Sequence, residues 1–175
     1  MKANIKNISD LQTAYASTIG ISAPLAGLSA STDLNNSSMN IAWVYPTGLG
    51  LQRDYYLDQD EKTKTIRDQY VAHIARMLQF IDYDEAEAAA AAEKILALET
   101  QLAEPRLDKV AMRDARNYNN PMTLDELQAL TPVLDWSKMV SDMGITKELG
   151  TINVMQPEYM KALNNFLTTT SIDDI

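Results

Sequence analysis

The spacing of apolar residues indicates an extended region near the N-terminus. Apolar side chains occupy every second position of one stretch, which is typical of a strand with one apolar face; they belong to Met39, Ile41, Trp43 and Tyr45. The polar run at residues 32–37 before this strand predicts a turn. We therefore expect a β-hairpin that pairs residues 25–31 with residues 39–45.

Two long helices are predicted in the middle of the chain. The first begins at Glu61, after which apolar residues recur at helical spacing through Ile81. The second begins at a capping box formed by Asp82 and Glu85. It continues through an alanine run, which has the highest helix propensity, to about residue 103.

Shorter helices are predicted where a start signal precedes an apolar face. The signals are capping boxes at Ser9 with Gln12 and at Thr123 with Glu126, an N-cap at Asp135, and a first-turn proline at Pro157. The helix after Ser9 should end near residues 19 and 20, and the β-branched run at residues 151–155 predicts a strand. The predicted fold class is mainly α, with two long helices, several short ones and a small β-hairpin near the N-terminus.

Residues 48–57 connect the hairpin region to the long helices, and we call them the joint. Gly48 and Gly50 allow the backbone to turn there or to approach another element closely. We expect one unit over residues 1–175, composed of a helix and hairpin at 1–47, the joint, and a helical part at 58–175. Because Ser171 resembles a helix start with no helix after it, we expect the chain to be part of a longer protein.

Composition excludes several classes of protein. The hydrophobic share of 46% argues against an intrinsically disordered protein. A net charge of −9 argues against nucleic acid or an anionic membrane as a partner, since both require a basic surface. The chain has no cysteine, so it forms no disulfide bond.

An ordered set of short motifs begins in the joint. The motifs are Gly48-Leu49-Gly50-Leu51 with Arg53-Asp54-Tyr55-Tyr56, Leu98-Glu99 with Leu102-Ala103, Arg113-Asp114, Tyr118-Asn119 with Met122-Thr123, and Gln156-Pro157-Glu158-Tyr159. In this order they resemble the neprilysin and endothelin-converting-enzyme family of zinc metalloendopeptidases. Gln52 departs from the family pattern, because a proline is usual at that position. The absence of cysteine favours a bacterial member of the oligopeptidase O type.

The resemblance implies a parent enzyme with two mostly helical lobes around a chamber. The C-terminal lobe carries zinc in a His-Glu-x-x-His site, whereas the N-terminal lobe walls the chamber and admits small peptides. This chain has one histidine, His73, and such a site needs two. We therefore expect a piece of the N-terminal, substrate-gating lobe with no catalytic residue, no metal ligand and no cofactor of its own.

The resemblance also implies the partners and the location of the parent. The partners are the zinc-bearing lobe and peptide substrates, and the parent is extracytoplasmic, whether periplasmic, secreted or membrane-anchored. The alternative reading is a self-standing helical module that binds a protein partner and has no enzymatic activity. The third class is a hydrolase that uses carboxylates alone, but no spacing in the sequence predicts two carboxylates held together on rigid elements.

The motif residues receive structural roles. They are Gly48, Gly50, Arg53, Asp54, Tyr55, Tyr56, Glu99, Arg113 and Asp114. We expect the two Arg-Asp pairs to clamp parts of the fold together, with the two side chains of each pair pointing apart in extended chain. We expect Tyr55 and Tyr56 to divide between surface and core, and His73 to be a packed core residue.

A lobe separated from its parent should expose apolar surface and associate weakly with itself. The expected sources are the hairpin, through Trp43 and Tyr45 or its unpaired edge, and the last helix around Phe166 and Leu167.

Overall fold

The computed structural model describes residues 5–18 and 24–175, which form two compact units. Unit 1 combines the chain up to Gly48 with residues 109–175, and unit 2 is residues 49–108. The described helices are α1 (Ile8–Ser17), α2 (Arg53–Leu57), α3 (Glu61–Gln79), α4 (Glu85–Ala103), α5 (Leu124–Leu130), α6 (Trp136–Asp142) and α7 (Pro157–Thr169). The strands are β1 (Ala26–Asp33), β2 (Asn36–Pro46), β3 (Pro121–Met122) and β4 (Ile152–Val154). The mainly α fold is confirmed.

Unit 1 is built around a four-stranded sheet with the order β1-β2-β4-β3. The predicted hairpin is confirmed: β1 and β2 pair antiparallel, with Ala26 opposite Pro46 and Ser31 opposite Ile41. Its turn is stabilised by the Asp33 carboxylate, which accepts a hydrogen bond from the Asn35 N–H at 2.8 Å. The predicted strand near residue 152 is β4, which pairs parallel with β2 and antiparallel with β3.

The most deeply buried residue of β2 lies on the face opposite to the alternating apolar residues. Val44 is fully buried, whereas Met39 is 55% exposed and Trp43 is half-buried. Val44 lies opposite Val154 of β4, which is also fully buried. Alternation in the sequence identifies two faces but not the one that faces the core, and the core covers the Val44 face.

Helix α7 supplies much of the remaining core of unit 1. Tyr159, Met160 and Leu163 are fully buried, and Phe166 and Leu167 are 7% and 3% exposed. The expectation of an exposed surface around Phe166 and Leu167 is therefore wrong. Both residues continue the apolar stripe that begins at Tyr159, and that stripe packs inward along the whole helix.

The predicted start of a helix is correct where the sequence offers only one possible N-cap residue. Thr123 and Glu126 form the expected reciprocal box, with Glu126 N–H donating to Thr123 Oγ1 at 3.2 Å and Thr123 N–H donating to Glu126 Oε2 at 2.8 Å. Asp135 caps α6 through Lys138 N–H at 2.8 Å, and Pro157 opens α7.

Two predicted caps are displaced by two residues. Helix α1 is capped by Asn7 rather than Ser9, and its predicted end near residues 19 and 20 lies outside the described residues. Helix α4 is capped by Asp84 with Glu87, not by Asp82 with Glu85. Asp82 has a φ of 70°, so it forms the left-handed turn after α3 and cannot take the extended conformation of an N-cap.

Unit 2 is dominated by the confirmed long helices α3 and α4. Ala88 and Ala92 of α4 are fully buried, and Thr63 of α3 is 6% exposed. The two helices pack against each other, and small buried side chains of this kind allow helix backbones to approach closely. His73 is exposed, so its prediction as a core residue is wrong: the inward stripe of α3 passes through Tyr70 and Ile74, and His73 lies beside that stripe.

None of the described helices combines the length and apolarity that a membrane crossing requires.

The displaced cap of α4 gives a direct test. Replacing Asp84 with alanine removes the acceptor for Glu87 N–H and should lower the free energy of unfolding by about 1 kcal/mol. Asp82→Gly is the matched control: glycine adopts a φ of 70° without strain, so stability should be unchanged or higher. Urea unfolding followed by circular dichroism measures both. The reverse order of stabilities would mean that Asp82 is the cap.

Candidate functional site

Four residues of unit 2 meet at the carboxylate of Glu99, and we call them the Glu99 cluster: Gly50, Tyr56, Tyr70 and Glu99. Glu99 Oε2 accepts hydrogen bonds from the Tyr56 hydroxyl at 2.9 Å and the Tyr70 hydroxyl at 2.8 Å. Glu99 Oε1 accepts one from the Gly50 N–H at 3.2 Å. The Tyr56 hydroxyl also accepts from the Leu51 N–H at 2.9 Å. Helices α2, α3 and α4 and the loop at Gly50 are thus hydrogen-bonded at one point.

Two different physical reasons explain the two glycines of the joint. Gly48 has a φ of 75°, a left-handed conformation that side chains disfavour. Gly50 has an unstrained backbone, but a Cβ there would lie 1.9 Å from the Tyr70 hydroxyl oxygen and 2.5 Å from its Cζ. A side chain at position 50 would therefore displace the Tyr70 ring from its place beside Glu99.

Burial raises the pKa of both tyrosines of the cluster above the ordinary tyrosine value. Tyr56 is 3% exposed, and burial, followed by weaker effects that include the nearby Glu99 charge, raises its pKa far above the ordinary value. Burial and the bond to Glu99 raise the pKa of Tyr70 to about 12. Both hydroxyls therefore remain donors at physiological pH. Their rings pack edge to face, with centroids 6.5 Å apart.

The remaining residues of the joint motif lie in the short helix α2. The Arg53 and Asp54 side chains do not point apart as expected: Nη1 and Oδ1 lie 3.6 Å from each other, and the pair lies in a helix and not in extended chain. Tyr56 is buried and Tyr55 is half-buried. The Arg67 guanidinium donates to the backbone oxygen of Tyr55 at 2.9 Å and fixes α2 to α3.

Arg113 and Asp114 lie in unit 1, where Asp114 separates two 3₁₀ helices, Ala111–Arg113 and Ala115–Asn117. The Asp114 carboxylate pairs with the Arg116 guanidinium, with Nη2 and Oδ2 2.6 Å apart, which lowers the pKa of Asp114. The clamp between the two Arg-Asp pairs stays a prediction.

The Tyr118-Asn119 motif is bound to the sheet of unit 1. Asn153 of β4 is 1% exposed; it donates to the Tyr118 backbone oxygen at 3.0 Å and accepts from the Asn120 N–H at 2.7 Å. The Tyr118 ring also packs at a tilt against Trp43, with centroids 6.4 Å apart. A buried amide thus fixes this segment beside β4.

A groove of about 640 Å³ lies on unit 1 between the hairpin and the loop that leads to β4. We call it the hairpin groove. It is lined by Leu28, Ser29, Ala30, Asp33, Met39, Asn40, Ile41, Ala42, Met143, Ile145, Glu148, Leu149, Gly150 and Thr151.

Sequence reasoning identified three members of the Glu99 cluster as motif residues but missed Tyr70, which lies in an ordinary helical stripe of α3. It also missed Arg67 and the hairpin groove. No group of three histidine, cysteine or acidic residues that could hold a metal ion is present within residues 5–18 and 24–175.

The comparisons with known proteins establish the family. The sequence model described as Peptidase family M13 matches residues 2–175. The chain belongs to peptidase family M13. Endothelin-converting enzyme 1 from Cavia porcellus is 29% identical over 97% of this chain and 22% of its own length, and the Homo sapiens enzyme is 28% identical over the same shares.

Solved structures agree with this membership. Zinc metalloprotease Zmp1 from Mycobacterium tuberculosis, in complex with an inhibitor, superposes with a TM-score of 0.87 and 27% identity over 98% of this chain and 27% of its own. PepO from a Lactobacillus species has a TM-score of 0.74 at 14% identity, which supports the fold alone. The chain spans about a fifth to a quarter of the length of these relatives.

The close approach at Gly50 predicts a specific loss of stability. Gly50→Ala should force Tyr70 away from Glu99 and lower the free energy of unfolding by about 1–3 kcal/mol. Gly150→Ala is the matched control, because nothing lies within 4 Å of a Cβ at that position. Thermal and urea unfolding measure both variants, and equal stabilities would contradict the steric role of Gly50.

Proposed function

We propose that this chain is part of a zinc metalloendopeptidase and forms a wall of its substrate chamber without contributing a catalytic residue. The proposal rests on one observation: residues 2–175 match a peptidase family, yet the chain contains a single histidine. Membership of the family supports a peptidase parent. The missing second histidine assigns the zinc chemistry to another part of that parent.

The residues of this chain do not fit the zinc site of such an enzyme. A catalytic zinc needs three protein ligands, and the His-Glu-x-x-His pattern supplies two of them one helical turn apart. His73, which is exposed on α3, has no second histidine as a partner. Zinc is therefore a cofactor of the remaining lobe, and no step of hydrolysis is assigned to residues of this chain.

The contribution of the chain is shape and rigidity. The Glu99 cluster holds the joint against the long helices of unit 2, and the buried Asn153 amide holds the Tyr118 segment against the sheet of unit 1. Rigid walls of this kind limit a chamber to small peptides, and movement of a lobe controls access to it. The substrate class is small peptides, the partner is the zinc-bearing lobe, and the parent acts outside the cytoplasm.

A self-standing interaction module without activity is the alternative function. It would not require a set of peptidase motifs in the family order along nearly the whole chain. The match over residues 2–175 therefore favours the peptidase parent.

A peptide-cleavage assay tests whether the zinc chemistry belongs to another part of the parent enzyme. The purified 175-residue chain should not hydrolyse small quenched-fluorescence peptides, with or without added zinc, because it cannot assemble the metal site. Addition of the separately produced zinc-bearing remainder should give turnover above that of the remainder alone. Zinc-dependent turnover by the chain alone that disappears in His73→Ala would overturn the proposal.

A further inference from the structure

We draw no further inference here: the strongest candidate, the surface patch of exposed apolar side chains that Met77, Phe80 and Ile81 form where α3 ends, carries nothing because nothing in the structure shows what covers it.

Discussion

One partly buried carboxylate organises unit 2. Glu99 accepts hydrogen bonds from the Gly50 N–H and from the hydroxyls of Tyr56 and Tyr70, so that its charge is compensated without a basic partner in the cluster. Without such donors, a partly buried charge would lose solvation that nothing replaces. The geometry of these bonds requires glycine at position 50, because the Tyr70 hydroxyl occupies the space of a side chain.

The same constraint explains why separated motifs belong together. The joint motif and the Leu98-Glu99 motif are more than forty residues apart in the sequence, yet they meet in one set of bonds. Helices α3 and α4 pack against each other, and Tyr70 of α3 reaches Glu99 of α4. Packing alone thus accounts for residues of two separated family motifs.

Much of the fold could be predicted from local signals. The spacing of apolar residues and the helix-capping residues correctly predicted both long helices, the hairpin and the starts of α5, α6 and α7. They failed where two local choices were equally good, since Asp82 and Asp84 both fit a capping box. Only tertiary packing decides such cases, and it also placed His73 on the surface.

The site was less predictable than the fold. Motifs identified Gly50, Tyr56 and Glu99, but Tyr70 belongs to no motif and its role depends on how α3 crosses α4. The hairpin groove combines the hairpin with a loop more than a hundred residues later, and no local pattern connects them.

A double-mutant cycle between Tyr70→Phe and Glu99→Gln tests the central claim most directly. Each variant should destabilise the chain in urea unfolding. Their effects should be non-additive by about 0.5–3 kcal/mol, because Tyr70→Phe removes the donor and Glu99→Gln weakens the acceptor of the same hydrogen bond. Tyr45→Phe, in unit 1, is the control and should add independently to Glu99→Gln. Additivity of Tyr70→Phe and Glu99→Gln within about 0.3 kcal/mol would contradict the account.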